Sequence, residues 1–172
     1  MSKKIKVLFL VIIIVTVFFA VLPAFQKSTR HPPYTLSLNN LRLIGLGLWM
    51  YAEDNNDIFP ENLEQIEIYV KNPHRVFNSI LKPEDFNGPS YIYVNGHSFK
   101  DAQAKEKYII AYENTEYLSG YKQEQVNFIY LEGYSYRLEK EKFLSELRKT
   151  YEHLGKPMPE IHFKEEAFET KS

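Results

Sequence analysis

Val7–Phe25 is a continuous uncharged run, broken in its apolar character only by Thr16 and Pro23. The first acidic residue of the chain is Glu53, and the first glycine is Gly45. About 19 residues in a helix rising about 1.5 Å each reach roughly 28 Å, close to the roughly 30 Å hydrocarbon thickness of a bilayer. Lys3, Lys4 and Lys6 precede the run, and Lys27 and Arg30 follow it. Residues 1–30 therefore read as a membrane anchor, with the lipid bilayer as partner through residues 7–25. A cleaved secretory signal is the competing reading. Its apolar region is usually about 7–15 residues and ends in small residues, whereas cleavage after Ala20 or Ala24 places bulky Phe18 or Leu22 at the third position back.

Residues 31–172 carry 16 Lys+Arg against 22 Asp+Glu. With three lysines leading, the positive-inside bias puts the N-terminus in the cytoplasm, and the acidic remainder is readily exported. An acidic balance argues against nucleic acid, whose recognition needs a basic footprint. The chain has no cysteine, which removes disulfides, thiolate metal sites and cysteine catalysis. Aromatic content of 15% within 44% hydrophobic residues argues for a packed domain rather than disorder.

Arg30-His31-Pro32-Pro33-Tyr34 predicts a break after the anchor, with 31–36 as linker, because proline removes a donor and crowds the preceding turn. A helix is then expected from Ser37, as N-cap, to about Glu53. Leu38, Leu41, Leu48 and Ala52 share one face at helical spacing, and Leu43, Leu46 and Met50 form a second apolar stripe. Gly45 and Gly47 weaken such a helix by about 1 kcal/mol each, so close packing is expected there. The stripe Leu43, Leu46, Gly47 and Met50 is the candidate interaction surface, facing either the loops between Lys71 and Pro89 or another anchored helix. Asp54-Asn55-Asn56-Asp57 reads as a turn, Pro60 as a helix start, and Glu61–Val70 as a short amphipathic helix.

Strands are expected at Tyr91–Val94, Tyr108–Tyr112, Val126–Leu131 and Tyr134–Leu138, all aromatic and β-branched. A two-residue loop at Glu132-Gly133 would pair Leu131 with Tyr134, Ile129 with Tyr136 and Asn127 with Leu138, and make that the core face. Val126, Phe128 and Tyr130 with Ser135, Arg137 and Glu139 would form the half-wet face, and a bulged loop is the alternative. A final helix is expected over Lys140–Leu154, with Phe143, Leu147, Tyr151 and Leu154 on one stripe and Gly155 and Pro157 as stops. Residues 37–155 thus form the expected exported α+β domain, a helix packed on a small antiparallel sheet with a C-terminal helix. Residues 156–172 read as a frayed tail.

The stretch Leu38-Asn39-Asn40-Leu41-Arg42-Leu43-Ile44-Gly45-Leu46-Gly47-Leu48-Trp49-Met50-Tyr51-Ala52 resembles the post-anchor helix of the G-like, major pseudopilins of type II secretion and their uncharacterised relatives. Leu22-Pro23-Ala24-Phe25, the turn from Asp54 to Pro60, and Lys82-Pro83-Glu84-Asp85 ahead of Ser90-Tyr91-Ile92-Tyr93 are similar to segments of that family in the same order. Val126-Asn127-Phe128-Ile129-Tyr130-Leu131-Glu132-Gly133-Tyr134 resembles its closing hairpin. The resemblance implies a bacterial inner-membrane protein with an exported domain and, as partners, pilin-like subunits or secretion components. The chain departs from the family in having no glycine cleavage site and no glutamate early in its apolar run, so the assembly contact that glutamate supplies is missing.

No catalytic residue, cofactor or metal site is expected. The five histidines (His31, His74, His97, His153, His162) lack ligand spacing and read as surface residues. Asp54, Asn56 and Asp57 fail the calcium-loop pattern because Phe59 stands where it needs glycine. The loop from Glu113 through Asn114 and Glu116 cannot be matched to the pseudopilin calcium residues. No nucleophile elbow or phosphate-cradling glycine loop occurs. The alternative to a secretion or pilus component is a free-standing, membrane-anchored envelope binding domain. An anchored hydrolase is the weakest reading.

Overall fold

Proline suits the first turn of a helix, where its missing N–H has no intrahelical partner to lose. Helix α1 accordingly begins at Pro33 and runs to Asp54. The expected linker at 31–36 is thus already helical from Pro33, and Ser37 lies buried inside the helix rather than capping it. The computed structural model describes residues 32–104, 106–117 and 125–163. The anchor expected at Val7–Phe25 and His31 lie outside those residues. Among the described residues no helix is long and apolar enough to cross a membrane.

After α1 come a 3-10 helix (Leu63–Tyr69), α2 (Pro73–Val76), β1 (Tyr91–Tyr93), α3 (Phe99–Ala102), β2 (Ile109–Glu113), a 3-10 turn (Thr115–Tyr117), β3 (Gln125–Tyr130), β4 (Ser135–Glu139) and α4 (Lys140–His153). The expected helix at Glu61–Val70 is this 3-10 segment. Asn62 caps it in a reciprocal box with Gln65. The four strands form an antiparallel meander in sequence order. The protein is α+β, with helices on both faces of one sheet.

Face one packs against α1. Leu41, Ile44, Leu48 and Ala52 meet Tyr91, Ile110, Ala111, Ile129 and Leu131. Register shifts between Ile109 and Ala111, so adjacent Ile110 and Ala111 both join this cluster while Ile109 and Tyr112 join the other. A bulge of this kind breaks strand alternation by one residue. Gly45 and Gly47 serve different neighbours. A Cβ on Gly45 would collide with the Ile129 side chain, and one on Gly47 would lie 2.8 Å from Val70 Cγ2.

Face two packs against α4 through Phe143 and Leu147, set among Val126, Phe128, Tyr130 and Tyr112. Residues 156–163 do not fray. Met158, Ile161 and Phe163 pack on this cluster, and Thr115 Oγ1 donates to the His162 carbonyl at 2.6 Å. The remaining tail residues lie outside the described set.

The hairpin corrects the expected register. Phe128 pairs with Tyr136, Asn127 with Arg137 and Ile129 with Ser135. Tyr130 N donates to Tyr134 O at 3.0 Å, and Gly133 N to Tyr130 O at 2.9 Å. The loop is therefore Leu131-Glu132-Gly133, with Gly133 at φ 93°, the bulged alternative. Since strand side chains alternate, one residue of shift turns every β4 side chain to the other face. Tyr136 leaves Ile129 and stacks on Phe128 on the α4 side, with ring centroids 6.2 Å apart. Ser135 and Arg137 turn toward α1, where Arg42 Nε donates to Ser135 Oγ at 2.9 Å. The Arg137 guanidinium lies 4.4 Å from the Tyr34 ring centroid.

Candidate functional site: the open side of the first helix

Three large apolar side chains on α1 are only partly covered. Leu43 is 37% exposed, Leu46 57% and Met50 40%. Their i, i+3, i+7 spacing sets them on one side of the helix, spanning about 10 Å at about 1.5 Å per residue. The sheet holds the opposite side. The expected cover, the segment following Lys71, flanks only the first half of the stripe. It leaves a groove of about 590 Å³ edged by Leu36, Leu43, Lys71, Arg75 and Ile80. Gly47 is corrected out of the stripe. It is buried against Ile66 and Val70, so its close approach is spent within the domain. Leu43, Leu46 and Met50 remain as the exposed set.

Behind the stripe lies a polar centre absent from the sequence reading. Glu113, at the end of β2, is buried. Ser37 Oγ donates to its Oε1 at 2.8 Å and Ser79 Oγ at 2.9 Å, while Asn127 Nδ2 donates to its Oε2 at 2.9 Å. Tyr117 spends its proton on the Ser90 carbonyl at 2.8 Å. Burial pushes the Glu113 carboxyl above its usual range, with the hydrogen bonds from Ser37, Ser79 and Asn127 pulling against it. Tyr91, whose hydroxyl lies 3.2 Å from Ser37 Oγ, is pushed up to about 12, chiefly by burial. Every donor to Glu113 is neutral, and the group is sealed from solvent. It ties α1, the segment after α2 and the sheet together, which is a structural role.

A second titratable cluster sits where α3 meets α4. His97 is buried, not a surface residue as expected. Burial holds its imidazole down to about 4, against the opposing hydrogen bond from Nε2 to the Ile109 carbonyl at 3.1 Å. His153 stacks on Tyr108 with centroids 3.9 Å apart and pairs with Asp101 at 2.8 Å. Burial pushes the Asp101 carboxyl up, but hydrogen bonds from Ser98 and His153 outweigh it and leave it lowered. Beside the cluster a groove of about 900 Å³ runs along α4, with Tyr108, Tyr130, Lys142, Glu146 and His153 among its walls. Among the described residues no group of three His, Asp or Glu could hold a metal ion. Asp54 accepts from the Tyr69 hydroxyl at 2.9 Å. Asn56 and Asp57, at φ 57° and 63°, form the turn that ends α1.

Comparison with known proteins found no matching family model, no matching curated protein and no matching solved structure.

Proposed function

We propose that this chain is a non-enzymatic, single-pass protein of the bacterial inner membrane, with an exported pseudopilin-like domain that serves a type II secretion or type IV pilus-like system. In this reading the domain docks through Leu43, Leu46 and Met50 onto another membrane-anchored, pilin-like chain. The exposed stripe carries the proposal. Three large apolar side chains on one side of a helix, with a sheet already covering the other side, are what a partner helix would desolvate. The order of elements supports it too, since an apolar N-terminal run leads into a long helix laid on an antiparallel meander. The chain lacks the family's membrane glutamate, so packing along α1 takes over part of the assembly contact.

The cysteine-free sequence makes the test direct. Leu46→Cys or Met50→Cys in the full chain, in native membranes, should crosslink efficiently to a second anchored chain identified by mass spectrometry. Tyr134→Cys at the hairpin tip should not. Absence of crosslinks, or crosslinks only to proteins without a membrane segment, would overturn the docking. A free-standing envelope binding domain is the second reading, favoured by the tyrosine-lined groove along α4. It requires a chain that stays monomeric in the membrane. Proximity of its gene to those for a secretion ATPase or prepilin peptidase would favour the first.

A further inference from the structure

The groove beside the first half of α1 differs chemically from the bare stripe that continues past it. Its charged lining residues are Lys71 and Arg75, and no carboxylate lines it. Among the described residues neither cation forms an ion pair. Asn40 and Asn78 add side-chain amides, and Leu43 and Ile80 add apolar surface, with Ile80 64% exposed. Two free cations are concentrated here on a portion of the chain, residues 31–172, in which Asp+Glu exceed Lys+Arg by 22 to 16.

We infer that this groove binds the anionic headgroups of the bilayer that holds the chain's own N-terminal run. The inference rests on the reading of residues 7–25 as a membrane anchor. Charge complementarity selects an anion, because a phosphodiester can accept from both Lys71 and Arg75. The exposed Ile80 selects a lipid over a free phosphate, since an apolar side chain beside cations gains by entering the boundary between headgroup and acyl chain. Sequence distance agrees. Only residues 26–32 separate the apolar run from α1 along the sequence. Bound in this way, the groove would fix the start of α1 against the membrane surface and leave Leu46 and Met50 free for a neighbouring chain.

The full chain carrying Ile80→Cys, labelled with an environment-sensitive fluorophore, tests this in two vesicle types. One is phosphatidylcholine alone, and the other also contains phosphatidylglycerol. A blue shift should appear only with phosphatidylglycerol. It should fade as salt rises from about 0.1 M to about 1 M, where the screening length falls from about 10 Å to about 3 Å. Lys71→Glu with Arg75→Glu should weaken the response about tenfold or more, while label at Tyr134→Cys should not respond. Equal emission in the two vesicle types overturns the inference. So does a shift produced by inorganic phosphate with neutral vesicles, which would make the groove a free-anion site. Flotation with neutral vesicles reports on the anchor separately. A chain that does not float fails that reading, whatever the groove does.

Discussion

The two faces of the sheet are built from different materials. On the α1 side aliphatic side chains close at short range, helped by Gly45 and Gly47, around one buried carboxylate with three neutral donors. On the α4 side aromatic rings dominate, including Phe128, Phe143, Tyr112 and Tyr130, and an open groove borders them. Aliphatic contacts at glycine distance demand one helix position. Rings and long polar side chains tolerate adjustment. The close glycine contacts thus belong to the helix whose outer side carries the exposed stripe, and they leave that helix little room to shift.

Truncating the cores gives the largest expected effects. Phe143→Ala on the α4 side should destabilise the domain by about 3–5 kcal/mol and Leu48→Ala on the α1 side by about 2–5 kcal/mol, measured by denaturant titration. A loss under about 1 kcal/mol for either would mean that its face does not form a packed core.

The faces should also answer acid with opposite signs. Burial holds the His97 imidazole down to about 4 in the folded state, below the ordinary histidine value of 6.5. Its contribution to stability is therefore present above about 6.5 and lost as pH falls through about 4. At about 1.4 kcal/mol per pKa unit, that is a loss of roughly 3 kcal/mol. His97→Gln should flatten this loss. Glu113 is raised by burial, so the folded state holds that proton more tightly than the unfolded state does. Its contribution is fully present below the unfolded carboxyl value and is lost as pH rises through the raised one. Glu113→Gln should remove that part of the profile and leave the acid loss from His97. A wild-type stability curve unchanged by either substitution would break the contrast.

The glycine contacts come next. Gly45→Ala and Gly47→Ala should each cost about 1–3 kcal/mol by overpacking, despite the gain in helix propensity. Net stabilisation by either alanine would show that Ile129, or Val70 and Ile66, yields without strain.

The smallest effects separate the two hairpin registers. Tyr136 is 41% exposed and loses ring contacts with Phe128 and Tyr130. Arg137 loses its place over Tyr34. Each alanine substitution should cost about 1 kcal/mol. The two-residue loop instead requires about 3–5 kcal/mol for Tyr136→Ala and much less for Arg137→Ala.

The long elements and their order were legible in the sequence because they rest on local signals, whereas α2, α3 and the turn at Thr115–Tyr117, each of three or four residues, were not. β-branched and aromatic runs gave four strands, helical spacing gave α1 and α4, and Gly155 gave the stop after α4. The exposed stripe was legible as a pattern, since Leu43, Leu46 and Met50 recur on one side of any helix drawn through them. Its exposure was not. Cover depends on where residues 71–80 travel, and those residues have little periodicity of their own. Ser37 read as an N-cap because its use by Glu113 involves a residue 76 positions away. Asn127 on the expected core face was the one available hint of a buried polar centre, since a buried amide needs a partner.

The sequence by itself therefore determined the four strands, α1 and α4, and the apolar stripes of those two helices. Tertiary structure decided the rest. The hairpin register turned on a single residue of loop geometry at Gly133, and that residue exchanged Tyr136 and Arg137 between the two cores. The roles of Gly45 and Gly47, the burial of His97 and the convergence of Ser37, Ser79 and Asn127 on Glu113 all depend on distances between parts of the chain far apart in sequence. Local propensity contains no information about such distances, because they exist only once the sheet has been closed between α1 and α4.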